Sequence, residues 1–393
     1  MNSKILHKEV QDFINKNIKS DVPTLILKGS PFEGITIQEI ANQIVSKQKC
    51  EKKLPTWFAT NDIYYPPKLN IEQTSSETTA NYKSQLISGK KIIDITGGLG
   101  VDSYAFSKVF EEVNHCEINE ELSTISQYNF TKLQAANIKS ITGSGIDFLA
   151  KTEEHFDAIF IDPSRRNDVK GKVFLLEDCE PNFIKHQELF FKKASTILLK
   201  VSPILDISNT LRNLHFVKEI HVVAVGNEVK ELLFLLQKNY QETIHIKTIN
   251  IAKNGTQNFE FMYQTEAISE YALPLKYLYE PNVAILKSGA FHHISEKYQL
   301  FKLHQHSHLY TSESWMDFPG RTFSIEKILP YDKKKIAKLL PNKKANVTTR
   351  NFPKTVAQVR EELKLKGGGT DYLFFTTNCE NQLLCLVCKK TEN

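Results

Sequence analysis

From Lys91 onward the chain consists of short, almost purely apolar runs, "KIIDI", "EEVNHCE", "SITG", "FDAIFID", "STILLKV" and "VKEIHVVAV", separated by segments of helical spacing. Apolar runs of this length read as strands buried on both faces, and strands alternating with helices predict a parallel sheet built from βαβ units. The run "NEVKELLFLL" follows "VKEIHVVAV" too closely for a crossover helix, so these two are expected to form an antiparallel pair at the end of the sheet. Upstream, residues 1 to about 65 read as helices, with "ITIQEIANQIVSKQKC" placing apolar residues at i, i+4 and i+8, and the paired prolines of "YYPPKLN" mark a boundary. Beyond Lys238 the pattern becomes strand-like and polar in "TIHIKTINIAKNGTQNFEFMYQ" and then helical across "YALPLKYLYEPNVAILKSGAFHHISEKY". A final α+β module starts near "FPGRTFSIEKIL" and runs strand, helix ("DKKKIAKLL"), strand ("KANVTTRNF"), helix ("PKTVAQVREELKLK"), glycine turn, and two closing strands ("DYLFFTT" and "LLCLVCKK"). The expected class is therefore α/β, with an N-terminal helical segment and a C-terminal α+β module.

Composition narrows the function. A chain of 393 residues exceeds what one hydrophobic core usually supports. No apolar run approaches the roughly 18 residues of a spanning helix, and "MNSKILHKEVQDFINKNIKSD" lacks the apolar core of a signal peptide. Neither a membrane partner nor export is expected. Six scattered cysteines do not make a disulfide framework, which fits a reducing cytoplasm. The charge is unevenly placed: from Pro319 to the end there are 15 Lys and Arg against 7 Asp and Glu, an excess of 8, so an overall +5 leaves the preceding 318 residues at −3. A basic terminal module on a near-neutral body suits a polyanion held through its phosphates, although a solvated lysine face has the same composition.

Candidate chemistry begins at "DITGGLGVD", Asp94 to Asp102, where a strand gives way to a helix. Glycines at such a turn let the backbone approach a ligand, yet a turn of this kind also occurs without one. A dinucleotide fingerprint wants a third glycine or alanine where Ser103 stands. Asp94, four residues before Gly98, suits instead a ligand with an ammonium or sulfonium, which favours S-adenosylmethionine over NAD. Thr96, Gly97, Gly98 and Gly100 would then shape its turn. Glu117, ending the second strand, is placed to accept two ribose hydroxyls, and Asp147 after the third to accept from an adenine amine. Each acid alone fits a helix cap equally well. Together, in strand order, they mark the carboxyl edge where open α/β sheets bind ligands.

The series Asp94-Ile-Thr-Gly97-Gly98-Leu-Gly100, Glu117, Asp147 and Asp162-Pro163-Ser164-Arg165 resembles the class I S-adenosylmethionine-dependent methyltransferases over residues 75 to 240. "DPSRR", "LLKVSPILD" and "GNEVKELL", followed by "KSGAF", "FPGR", "RNFP" and "GGGTDYLF", resemble the bacterial methyltransferases that carry a ferredoxin-like insert and a C-terminal THUMP-like domain. The resemblance implies a Rossmann-like seven-stranded sheet, with helices over 1–70, a methyltransferase domain over 71–240, connecting strands and a ferredoxin-like domain over 241–318, and a THUMP-like domain over 319–393. It also implies an RNA substrate, a base of tRNA or rRNA, with Asp162, Pro163, Ser164 and Arg165 facing the methyl acceptor. Amino-group methyltransferases often carry D-P-P-Y/F at this place; here Ser164 replaces the second proline and Arg165 the aromatic. Arg165 and Arg166 could grip a phosphate, or merely pair with Asp168, Glu177 or Asp178, while Lys343, Lys344 and Arg350 are the expected RNA contacts of the basic module.

Other candidates are weaker. Acids surround Cys179, His304, His306 and His308 lack a fourth ligand, and Cys385 and Cys388 should point to opposite faces of a strand, so no metal is expected. The alternatives to an RNA methyltransferase are a non-catalytic RNA-binding protein and an NAD-dependent oxidoreductase. Oligomeric state leaves no signature in the sequence.

Overall fold

The computed structural model describes residues 1–165, 175–340 and 342–391. The chain divides into two compact units, Met1–Lys218 with Leu232–Glu242, and Glu219–Glu231 with Thr243–Asn393.

In the first unit the apolar runs form β1 (Lys91–Asp94), β2 (Glu112–Glu117), β3 (Ile138–Thr142), β4 (Phe156–Ile161) and β5 (Ala194–Val201), all parallel, in the order β3-β2-β1-β4-β5. Ile159, Ile161, Leu198 and Leu199 are fully buried, as strands covered on both faces require. β6 (Val217–Val225) and β7 (Glu228–Gln237) follow, their Glu219–Glu231 portion belonging to the second unit. They are joined by Gly226 and Asn227, whose φ angles of 59° and 62° suit a two-residue hairpin. β7 runs antiparallel to β5, pairing Thr196 with Gln237 and Val201 with Leu232. The Gln237 N–H donates to Phe216 O at 2.9 Å, so β6 begins beside the end of β7. The chain leaves β1 toward β2 on one side and reaches β4 on the other, which opens a crevice at their carboxyl ends.

The N-terminal helices belong to the same core. Ile5, Ile40, Ile44 and Trp57 cluster with Leu99 of the turn after β1 and with Val101, Ala105 and Ile125 of the helices that follow β1 and β2. The longest N-terminal helix, Ile37–Lys53, starts from a reciprocal cap: Glu39 N–H donates to Thr36 Oγ1 while Thr36 N–H donates to Glu39.

In the second unit β6 pairs in parallel with β8 (His245–Ala252), which pairs antiparallel with β9 (Gly255–Met262). A separate seven-stranded sheet contains β10 (Tyr277–Pro281), β11 (Phe301–Lys302), β12 (Tyr310–Ser312), β13 (Gly320–Pro330), β14 (Asn346–Arg350), β15 (Asp371–Thr377) and β16 (Leu383–Lys390), in the order β11-β12-β10-β13-β16-β15-β14. Cys385 packs with Ile336, Val359 and Phe375 on one face and Cys388 with Leu278, Phe323 and Phe374 on the other. One expectation needs correcting. Tyr277–Pro281 is a strand, not the start of a helix, because it pairs with β12 and β13 on its two edges, and helix is confined to Val283–Ser288 and His293–Lys297. His304, His306 and His308 lie in the turn between β11 and β12.

Candidate active site

Asp94, Glu117 and Asp162 end or follow neighbouring parallel strands and so reach the same edge of the sheet. Asp94 pairs in register with His115 on β2 and Phe160 on β4. Its carboxylate is 1% exposed and organises the turn above it: Thr96 N–H donates to Oδ1 at 3.0 Å and Ser103 Oγ–H to Oδ2 at 2.8 Å. Burial raises its pKa to about 7, with the charges of Asp102 and Asp162 adding to the rise and the Ser103 and Thr96 hydrogen bonds opposing it. Ser103, the residue that breaks the dinucleotide fingerprint, is thus the partner of this acid.

The glycines have separate tasks. A side chain on Gly97 would strike the His115 ring at 2.5 Å, and one on Gly100, at φ +82°, would lie 2.2 Å from Phe130. These two let the turn settle onto the core. Gly98, at φ +55°, has nothing nearer its missing Cβ than Thr96 O at 4.0 Å, so the turn there is open to close approach. Beneath it the His115 ring is fully buried, neither nitrogen has a hydrogen-bond partner among the described residues, and burial lowers its pKa to about 4, keeping it neutral.

Glu117 is half-buried and ties the segment after β2 to the glycine turn, accepting from Gly98 N–H at 2.8 Å and Asn119 N–H at 2.7 Å. Each carboxylate oxygen has two lone pairs, which leaves capacity for ligand hydroxyls. Asp147 has a more open setting. It lies on the exposed first turn of helix Gly145–Lys151, which Ser144 caps, and no described residue bonds its carboxylate. These groups fit S-adenosylmethionine, with Glu117 at its ribose, Gly98 beneath it, and the anionic form of Asp94 behind the turn to favour its cationic end. Once bound, that cofactor supplies a methyl group on sulfur.

Asp162 follows β4, and its N–H donates to Thr96 Oγ1 at 2.7 Å, so one hydroxyl ties the glycine turn to the acid expected at the acceptor. Asp162 is not alone. Ile161 pairs with Leu199, which brings the next residues, Asp162 and Lys200, side by side, and Lys200 Nζ donates to Asp162 Oδ2 at 2.5 Å. Lys200 also donates to Ser75 Oγ at 3.3 Å, Ser75 donates to Asp102 at 2.7 Å, and the fully buried Lys83 pairs with Asp102 at 3.1 Å. Sequence reading missed all three of Lys200, Ser75 and Lys83. The available signal was a lysine near the end of an otherwise apolar strand, "STILLKV".

Pro163 is buried, Ser164 is exposed, and the pair Ser164–Arg165 forms a short antiparallel ladder with Cys179–Glu180. Arg165 is described in its backbone only, and Arg166 and Asp168 lie outside the described residues. Cys179 is 2% exposed. In the second unit Lys343 and Lys344 are exposed before β14, while Arg350 at its other end pairs with buried Glu280 at 2.9 Å. Six residues of extended chain, about 20 Å, separate Lys344 from Arg350, so these cations do not form one cluster. Among the described residues no group of His, Cys, Asp and Glu gathers as a metal site, and no helix is long and apolar enough to cross a membrane.

A reversed β7 beside β5, with the glycine turn after β1, defines the Rossmann-like methyltransferase fold. Residues 277–319 match the ferredoxin-like domain family and residues 320–390 the THUMP-like family. A crystal structure described as that of a "putative methyltransferase" from Porphyromonas gingivalis W83 is 32% identical, with a TM-score of 0.90 over 100% of both chains. The chain belongs to that family, methyltransferases whose Rossmann-like sheet is followed by ferredoxin-like and THUMP-like domains. An rRNA methylase from Streptococcus thermophilus is 13% identical at TM-score 0.31, covering 42% of this chain and 95% of its own. A Streptococcus mutans protein in complex with SAH is likewise 13% identical at 0.31, covering 41% and 96%. At that level the last two add nothing to the description. No curated protein matches the sequence.

Proposed function

We propose that the protein is a cytoplasmic S-adenosylmethionine-dependent methyltransferase acting on RNA, tRNA or rRNA. The observation that carries this reading is the convergence of Gly98, Glu117, Asp94 and Asp162 on one crevice, with Thr96 joining the cofactor side to the acceptor side. Membership of a methyltransferase family supports the reaction class, and the acids and glycine turn at the carboxyl edge of the sheet support the cofactor. The THUMP-like match and the basic C-terminal module support RNA as substrate. Free thiols at all six cysteines support a reducing compartment. Asp162, Pro163, Ser164 and Arg165 form the acceptor side, Arg166, Lys343, Lys344 and Arg350 are assigned to RNA, and Asp147 remains assigned to the adenine.

Transfer from a sulfonium is an in-line displacement that needs little acid–base assistance, so the protein's part is to hold the acceptor in line and exclude water. Calorimetric titration with S-adenosylmethionine and NAD tests the cofactor assignment. Binding of the first and not the second is expected, and the reverse would restore the oxidoreductase reading.

A further inference from the structure

We infer, building on the RNA reading, that Arg321 and Arg350 form a clamp for one phosphate of the RNA backbone, braced by the buried carboxylate of Glu280. Arg321, at the start of β13, lies directly opposite Glu280 on β10; its Nε–H donates to Glu280 Oε2 at 2.7 Å, and its Nη2 donates to the same oxygen. Arg350 ends β14 and sets its Nη2 2.9 Å from the other oxygen, Oε1. Two guanidiniums are thus gathered on one carboxylate, which brings them within reach of a single phosphate.

Charge and exposure favour a ligand there. Glu280 is 5% exposed, whereas Arg321 and Arg350 keep 39% and 40% of their side chains in solvent. A buried carboxylate needs one cation, and the second leaves the trio at +1. A guanidinium carries five N–H donors. The contacts to Glu280 take two on Arg321, and with Nη1 donating to Thr349 O at 3.1 Å two are taken on Arg350, so each has donors left for a second anion.

The arrangement is held before any ligand arrives. Next to Arg350, Asn351 Nδ2–H donates to His304 Nδ1 at 2.9 Å, and Asn351 O accepts from Thr377 Oγ1–H at 2.6 Å. Arg321 also lies over the Phe323 ring at 5.5 Å. Side chains fixed in this way lose little freedom on binding, and a planar fork matches phosphate oxygens better than a point charge does. The surrounding field is positive as well: burial lowers the pKa of His308 to about 4, and the charges of Lys302, His306, Arg350 and His292 push it the same way. Glu280 and His304 come from the ferredoxin-like segment, Arg321 and Arg350 from the THUMP-like one, so neither segment alone completes the clamp.

The test is fluorescence anisotropy of labelled tRNA and of labelled rRNA fragments with the purified full-length protein across a salt series. Arg321→Gln leaves Glu280 its Arg350 partner and should keep the melting temperature near wild type. It should weaken RNA binding at least about fivefold at about 0.1 M salt and flatten the log–log slope by roughly 0.7. Arg321→Lys, which keeps the charge and loses the fork, should retain the slope but only part of the affinity. Lys327→Gln removes an exposed charge from the same strand and should change affinity by less than about twofold. Unchanged affinity and slope in Arg321→Gln, or a loss matched by Lys327→Gln, would overturn the clamp and leave the RNA reading standing, whereas a wild-type protein that binds neither RNA would sink both. Should Arg321→Gln fail to fold, Arg321→Lys decides: affinity equal to wild type would overturn the clamp.

Discussion

Glu117 is the residue on which the cofactor assignment leans most. Its replacement by alanine removes the acceptor for the Gly98 and Asn119 N–H groups together with any bond to ribose. A charge-assisted hydrogen bond contributes about 1.5–3 kcal/mol, so affinity for S-adenosylmethionine and its demethylated product should fall at least about tenfold in calorimetry. A folded Glu117→Ala protein with unchanged affinity would place the ribose elsewhere. Asp94 gives a pH signature. Its pKa is raised in the folded protein from 3.8 to about 7 by burial, so folding itself loses stability as pH rises through that interval. A cationic ligand favours the ionised form, and cofactor affinity should therefore climb as pH rises toward about 7 and level off above it, with proton release on binding at about pH 6 and little at about pH 8. Titrations in buffers of different ionisation enthalpy read this directly, and equal proton release at both pH values would separate Asp94 from the ligand. The acids were legible in the sequence because a carboxylate at the end of an apolar strand has few structural uses. Lys200 and Ser75 were not, since Lys200 meets Asp162, 38 residues away, only through the register of β4 on β5, and Ser75, 125 residues away, only through the tertiary fold.

At the scale of elements, the turn after β1 is fixed by what lies beneath it. Gly100→Ala must hold an alanine at φ +82° with its Cβ against Phe130, which should cost about 2–4 kcal/mol in urea unfolding. An alanine tolerated there without loss would mean the turn is not seated on Phe130. The pair Lys83–Asp102 offers a second check: with Lys83 fully buried, Lys83→Ala leaves a buried carboxylate unmatched and should destabilise the first unit by about 3–5 kcal/mol. The strand pattern was readable for nearly every element from β1 to β9, because buried parallel strands leave continuous apolar runs. It failed at Tyr277–Pro281, where a periodicity read as helical was overridden by pairing on both edges.

For the whole molecule, the basic C-terminal module was visible as composition, but composition carries no geometry. Arg350, counted among the RNA contacts, turns out to be held by Glu280, which Arg321 also grips. Lys343 and Lys344 are exposed, and alanine at both should flatten the log–log salt dependence of RNA binding by roughly 1.4 units if each neutralises one phosphate of a single strand. Fluorescence anisotropy across a salt series measures that slope, and identical slopes would mean that this pair is only a solvated face. The central claim, methyl transfer to RNA, has a more direct test. The purified full-length protein is incubated with S-adenosylmethionine bearing a deuterated methyl group and with tRNA and rRNA from cells lacking the gene, and the digested RNA is weighed by mass spectrometry. The account predicts a nucleoside heavier by one deuterated methyl, at a level that falls at least about tenfold in Asp162→Ala while cofactor affinity stays near wild type. Cofactor bound by the protein with no label entering either RNA would contradict it.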